Sequence, residues 1–229
     1  MRSFFVDTLF FGAALTLIAY ELGLLLKKKF KMALFNPLLI AIICIIAILS
    51  LFHIDYDHYN NGGKYISFLL TPATVCLAVP LYQQLELLKK NVKAVLLGIL
   101  SGVLASAISI LAMAKLFRLG HQEYVTLLPK SITTAIGMGV SEELGGIVTI
   151  TVAVIIITGV LGNVIAEVVF RIGKIEEPIA KGLALGTSAH AIGTSKAMEI
   201  GQVEGAMSSL AIAVAGLLTV VAASVFAGF

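Results

Sequence analysis

Lys130 stands in residues 127–146, LLPKSITTAIGMGVSEELGG, between Pro129 and the hydroxyls Ser131, Thr133 and Thr134. An ammonium beside several hydroxyls suits the holding of an anion such as a carboxylate, with the free amides of a short helix's N-terminus completing the cradle. A lysine at membrane depth is costly and marks function by default. The alternative is a side chain that snorkels to the interface. Glu142 and Glu143 close the same stretch. One of them could be a coupling site for a proton or cation, because a low-dielectric pocket raises a carboxylate's pKa; the alternative is an exposed cap or an ion pair. A second stretch, residues 182–195 (GLALGTSAHAIGTS), carries His190 between Ser188 and Thr194. That imidazole could hydrogen-bond a solute or titrate during transport. In a third, residues 65–85 (YISFLLTPATVCLAVPLYQQL), Thr71 and Thr74 flank Pro72, and Pro80 follows. Each proline removes a backbone donor, and a helix broken there exposes polar backbone to a solute.

The elements that position these residues read as membrane spans. The 229 residues are 59% hydrophobic and 13% charged, with mean hydropathy +1.03. Soluble domains carry about 25% charged residues, so the composition excludes a sizeable soluble domain and predicts an all-α integral membrane protein. Cys44 and Cys76 lie in apolar runs and read as small hydrophobes, not as disulfide or metal ligands. No catalytic constellation stands out. Ser188 and His190 are close in sequence, but no strand–turn–helix elbow surrounds the serine. No phosphate loop, metal-ligand spacing or nucleic-acid motif is present. The expectation is therefore a protein that is not an enzyme, with no cofactor, no metal and no nucleic-acid partner.

In chain order, residues 4–26 form a first span, with no small-residue cleavage site to make it a signal peptide. Lys27, Lys28, Lys29 and Lys31 follow it, which puts that loop in the cytoplasm and the N-terminus outside. Residues 32–52 return, with Pro37 suited to a first helical turn. Residues 53–64, HIDYDHYNNGGK, read as a solvated turn. Lys89, Lys90 and Lys93 then mark the cytoplasm again. Residues 94–114, 144–166 and 205–229 are clean spans, the first carrying the close-packing pair Gly98 and Gly102. Glu167 and Arg171, four apart, are expected to pair.

Residues 131–141 are the longest uncharged run of the Lys130 stretch, about 16 Å of helix against a hydrocarbon core of about 30 Å. Residues 182–195 are also short for a span. Polar, Gly-interrupted backbone is tolerated at membrane depth only where protein or a watery cavity covers it. If neither stretch crosses, Arg171, Lys174 and Lys181 fall inside, as positive charge prefers, and spans 94–114 and 144–166 run in opposite directions. An offset of about 60 residues also lays residues 71–85 over 130–144, and GILSG (98–102) near TGVLG (158–162). Paired interrupted segments mark the site of many transporters. The fold expectation is 6–8 transmembrane segments, two of them broken or re-entrant, in a probable inverted repeat. The whole of 1–229 reads as one polytopic domain: N-terminal spans to 64, a first repeat unit 65–118, a second 124–172, and a last broken segment and span 178–229.

PKSITTAIGMGVSEELGGI and KIEEPIAKGLALGTSAHAIGTSKAMEIGQVEGAMSSLAIAVAGLLT closely resemble the LrgB/CidB family of bacterial membrane proteins, and TPATVCLAVPLYQQ looks like a further motif of it. The likeness covers nearly the whole chain. It implies a multi-pass protein of the bacterial inner membrane and two competing functions. One is an antiholin-like or holin-like control of murein hydrolase export and autolysis, with a small LrgA/CidA-type partner. The other is carriage of monocarboxylates such as pyruvate, glycolate or glycerate, as in the related plastid glycolate/glycerate translocator, where an LrgA-like part is fused to an LrgB-like part. Only the LrgB-like part is present here, so that partner would be a separate subunit; the close-packing glycines also suit a homodimer. A lytic pore does not need a lysine, paired hydroxyls and a histidine on broken segments. The residues favour transport, with Lys130, Ser131, Thr133 and Thr134 on the carboxylate, Ser188, His190 and Thr194 on the rest of the solute, Thr71 and Thr74 from the other broken segment, and Glu142 as the coupling residue.

Overall fold

A computed structural model describes Thr8 and residues 10–30, 35–76 and 78–229. These residues are helical throughout and contain no strand. They divide into two compact units, Met1–Cys76 and Leu77–Phe229.

The first unit holds α1 (Phe11–Phe30), α2 (Pro37–Leu51), α3 (Tyr56–Phe68) and α4 (Leu70–Cys76). The Asn36 side chain caps α2, accepting from Leu38 N at 2.9 Å and Leu39 N at 3.2 Å, with Pro37 in the first turn. The expected polar turn at 53–64 is instead mostly helix α3. Tertiary packing overrides the turn residues there. Gly12 of α1 sits against the Tyr59 carbonyl and Gly63 N, and Thr16 Oγ1 lies 2.8 Å from Tyr59 Oη. A Cβ at Gly12 would separate the two helices.

The second unit begins with short α5 (Ala78–Gln83) and α6 (Leu85–Lys90), so the stretch expected as one broken span is a run of short helices. Pro72 and Pro80 each fall in the first turn of a short helix, where the missing donor costs least. Among the described residues, three helices are long and apolar enough to cross a membrane: α7 (Val92–Phe117), α10 (Val148–Ile172) and α12 (Gln202–Phe226). At 1.5 Å per residue, 26 residues reach about 39 Å.

Between α7 and α10 lie α8 (His121–Leu127) and α9 (Thr134–Glu143), joined by a turn at 128–133. Together they are a helical hairpin. Its ends meet, Gln122 Nε2 donating to Gly145 O at 3.3 Å and Ile147 N to Thr126 Oγ1 at 2.8 Å. Buried Ser141 and Thr151 share a bond of 2.7 Å, and Thr151 Oγ1 donates to Thr126 O at 2.9 Å. This dry network fastens both arms to α10. The hairpin's apolar face, with Tyr124, Val125, Leu128, Ile132 and Val140, packs on Ala107, Ile110 and Ala114 of α7.

α11 (Pro178–Ile200) folds back on itself. The helix breaks at Ala189 (φ −128°, ψ 15°) and His190 (φ 42°, ψ −136°). Eight residues of straight helix would separate Leu185 from Gly193 by about 12 Å, yet a Cβ on Gly193 would lie 2.5 Å from Leu185 O. Both arms also reach one point of α12: a Cβ at Gly186 would lie 2.5 Å from Ser208 O, and Thr194 Oγ1 is 2.7 Å from Ser208 Oγ. The first arm runs along α7, Leu183 beside Gly98 and Thr187 beside Gly102; the second runs along α10, His190 beside Gly159 and Ile192 bonded to Asn163. α11 is thus a second hairpin, its two ends at the same end of the unit.

Candidate functional site

The two hairpins present their turns to the middle of the long helices. Ser131 Oγ, on the first turn, lies 3.1 Å from Ser106 Oγ, the fifteenth residue of the 26 in α7. Lys130 Nζ donates to Ser131 Oγ at 2.9 Å. The second turn meets α10 near its middle, where His190 Nε2 lies 2.9 Å from Ile155 O.

A groove of about 730 Å³ runs along α7 from Asn91 to Ser109. Its floor is a stripe of small residues at helical spacing, Gly98, Ser101, Gly102, Ala105, Ser106 and Ser109. The first arm of α11 forms the opposite wall, and Lys130 with Ser131 forms the inner end. Glu177 lines the groove at the Asn91 end. Lys130 is the one cation among the lining residues. The lining also carries the hydroxyls of Ser106, Ser109, Ser131 and Ser188, of which Ser131 accepts from Lys130 while Ser109 and Ser188 donate to the carbonyls of Ser106 and Ala184. The first amides of α9, after Thr133, add the positive end of a half-helix at the same turn. The arrangement can hold a small anion bearing hydroxyl or carbonyl groups.

The residues named from sequence divide. Lys130, Ser131 and Ser188 line the groove together. Thr133 and Thr134 sit at the start of α9, partly buried and outside the lining. His190 and Thr194 turn inward: His190 is 4% exposed on Ile155 O, and Thr194, 1% exposed, bonds His190 O and Ser208. They hold the second hairpin's turn. Glu142 and Glu143 are exposed at the far end of α9, outside the groove lining. Thr71 and Thr74 lie on α4, and their side chains fall outside the described residues. Glu167 pairs with Lys196, at 2.5 Å, in place of the expected Arg171; the folded-back second arm of α11 brings that lysine to α10. Sequence reasoning misses Ser101, Ser106, Ser109 and Thr187. The signal for the serines is their spacing with Gly98, Gly102 and Ala105, which paints one helix face.

Long apolar helices, with two hairpins turning against them and a groove between, are the features of a membrane protein. The LrgB-like family model matches residues 16–229, and the chain belongs to that family. It is 40% identical over 223 residues to an antiholin-like protein LrgB of Bacillus cereus (strain B4264), and equally to one of Bacillus anthracis (strain A0248), covering 97% of each chain. No solved structure matches it.

Proposed function

We propose that the chain is an alternating-access carrier of small monocarboxylates of the pyruvate, glycolate or glycerate type. The observation that carries this reading is the meeting of Lys130 and Ser131 with Ser106 in a groove that Ser188 also lines. Lys130 neutralises the carboxylate, the serines and the amides of α9 satisfy its lone pairs, and Thr187 and Ser188 meet the rest of the solute. A single lysine favours a monoanion over a dianion. A site built where two interrupted segments meet is the recurring arrangement of secondary transporters.

The same reading takes α7 with the first hairpin, and α10 with the second, as two units of opposite direction. The offset of 60 that lays Gly98–Gly102 over residues 158–162 also lays Lys130 over His190, each at a hairpin turn. We count six crossings: α1, α2, the broken stretch 65–85, α7, α10 and α12. The N-terminus is then outside the bacterial inner membrane, and Lys27–Lys29, Lys89, Lys90, Lys93, Arg171, Lys174 and Lys181 all fall inside. The groove opens at its Asn91 end toward the cytoplasm. Alternation would close that end by moving the second hairpin against α7, in an elevator-like or rocking step.

The relatives' names favour a second reading, an antiholin-like protein, for which the family resemblance implies control of murein hydrolase export and autolysis with an LrgA/CidA-type partner. Those names bear on it more directly than they bear on carriage. Flux through proteoliposomes separates the two. Saturable uptake of labelled pyruvate or glycolate, competed by unlabelled carboxylate, supports the carrier. Unselective dye release, or no flux unless a partner subunit is added, supports the antiholin-like reading.

A further inference from the structure

A second cavity, of about 700 Å³, lies at the base of the second hairpin, where residues 176–181 contribute to both it and the groove. Arg171 in the last turn of α10, Lys174 in the connector, Lys181 in the first turn of α11 and Lys196 on its second arm line it, with Glu167, Glu176 and Glu199. Lys196 bridges Glu167 and lies 3.4 Å from Glu199. Among the described residues, Arg171, Lys174 and Lys181 form no ion pair. The lining therefore carries four cations against three carboxylates, a net charge of +1, with Arg171, Lys174 and Lys181 outside its ion pairs. Phe170, Ile175 and Ile200 complete the wall with apolar surface.

We propose that this cavity binds the phosphate-bearing headgroup of an anionic phospholipid. Its place at the ends of α10 and α11, with charge beside apolar wall, matches a lipid: headgroup at the interface, chain along the helices. Arginine offers a planar fork for phosphate oxygens, and the lysines add point charge. Basic pockets between membrane helices are where anionic headgroups dock. Because the three cations come from α10, the connector and the first arm of α11, a bound headgroup would tie the base of the hairpin to α10.

The test is native mass spectrometry and thermal unfolding of the full chain in detergent, titrated separately with phosphatidylglycerol, phosphatidylcholine and inorganic phosphate. The expected result is one retained phosphatidylglycerol per chain with a raised melting temperature, little effect of phosphatidylcholine, and inorganic phosphate weaker than the lipid. Arg171→Gln combined with Lys181→Gln should weaken the lipid at least about tenfold. Lys174→Asn should weaken it with the fold intact, because Lys174 has φ 51°, which asparagine tolerates. Lys89→Gln with Lys90→Gln, a basic pair outside the cavity, should leave it unchanged. Equal retention of phosphatidylcholine, undiminished binding in the cavity variants, or the same loss in the Lys89/Lys90 control would overturn the site. Inorganic phosphate as effective as the lipid would overturn the lipid as its ligand.

Discussion

Ser131 Oγ on the turn of the first hairpin lies 3.1 Å from Ser106 Oγ in the middle of α7. One hydroxyl pair thus sets the depth at which Lys130 enters the groove. Ser106→Ala should lower stability by about 1 kcal/mol, the usual net worth of one such bond. Transport should fall further than stability, because the lysine loses its stop. Thermal unfolding in detergent, run beside uptake, checks both halves.

Gly159 and Gly139 make opposite predictions. A Cβ at Gly159 would lie 2.7 Å from the His190 ring and 2.8 Å from Ile192 Cδ1, whereas one at Gly139 meets nothing within 4 Å. Gly159→Val should destabilise by about 1–3 kcal/mol through overpacking against the hairpin turn. Gly139→Ala, inside α9, should be neutral or stabilising by about 0.5–1 kcal/mol. Equal melting temperatures for the two variants would contradict the packing described.

His190 has φ 42° and ψ −136°, a region that glycine occupies readily and other residues rarely. Both His190→Gly and His190→Ala lose the bond to Ile155 O. Only the glycine relieves the backbone, so it should be the more stable by about 1 kcal/mol. If His190 touched solute, both variants would abolish uptake alike. The structure instead predicts that the glycine variant retains more uptake, measured at temperatures well below either melting point.

The proposed entry of the two hairpins from opposite faces of the membrane predicts a labelling pattern. In a background with Cys44→Ser and Cys76→Ser, Gln122→Cys should react with a membrane-impermeant maleimide from outside intact cells. Glu176→Cys and Glu199→Cys should react only after the cells are opened. The same sidedness for all three would break the proposed inversion.

Much of this was legible from residue types alone. A lysine with hydroxyls in an apolar chain is conspicuous because burying charge is expensive, and Lys130 and Ser131 do sit at the groove. The uncharged run around His190 is too short to cross, and it indeed turns back. The faces were not legible. Once a helix reverses, period no longer says which way a side chain points, so His190 and Thr194 face packed helices while Ser188 faces the groove. Serines in a long span look like packing residues, and only the hairpin turn at Ser131 reveals Ser106 as part of a site. Glu142 and Glu143 end a short helix with both side chains exposed outside the groove, a placement that sequence cannot assign.

The central claim is that Lys130 binds a carboxylate in the groove. The most direct measurement is uptake of labelled pyruvate and glycolate into liposomes holding the purified protein, comparing wild type with Lys130→Ala and Lys130→Arg. Loss of a charge-assisted contact worth about 1.5–3 kcal/mol should cut uptake at low solute about 10–100-fold in Lys130→Ala. Lys130→Arg, which keeps the charge, should retain part of it, with folding unchanged in both. Saturable uptake that is the same in Lys130→Ala as in wild type would contradict the account.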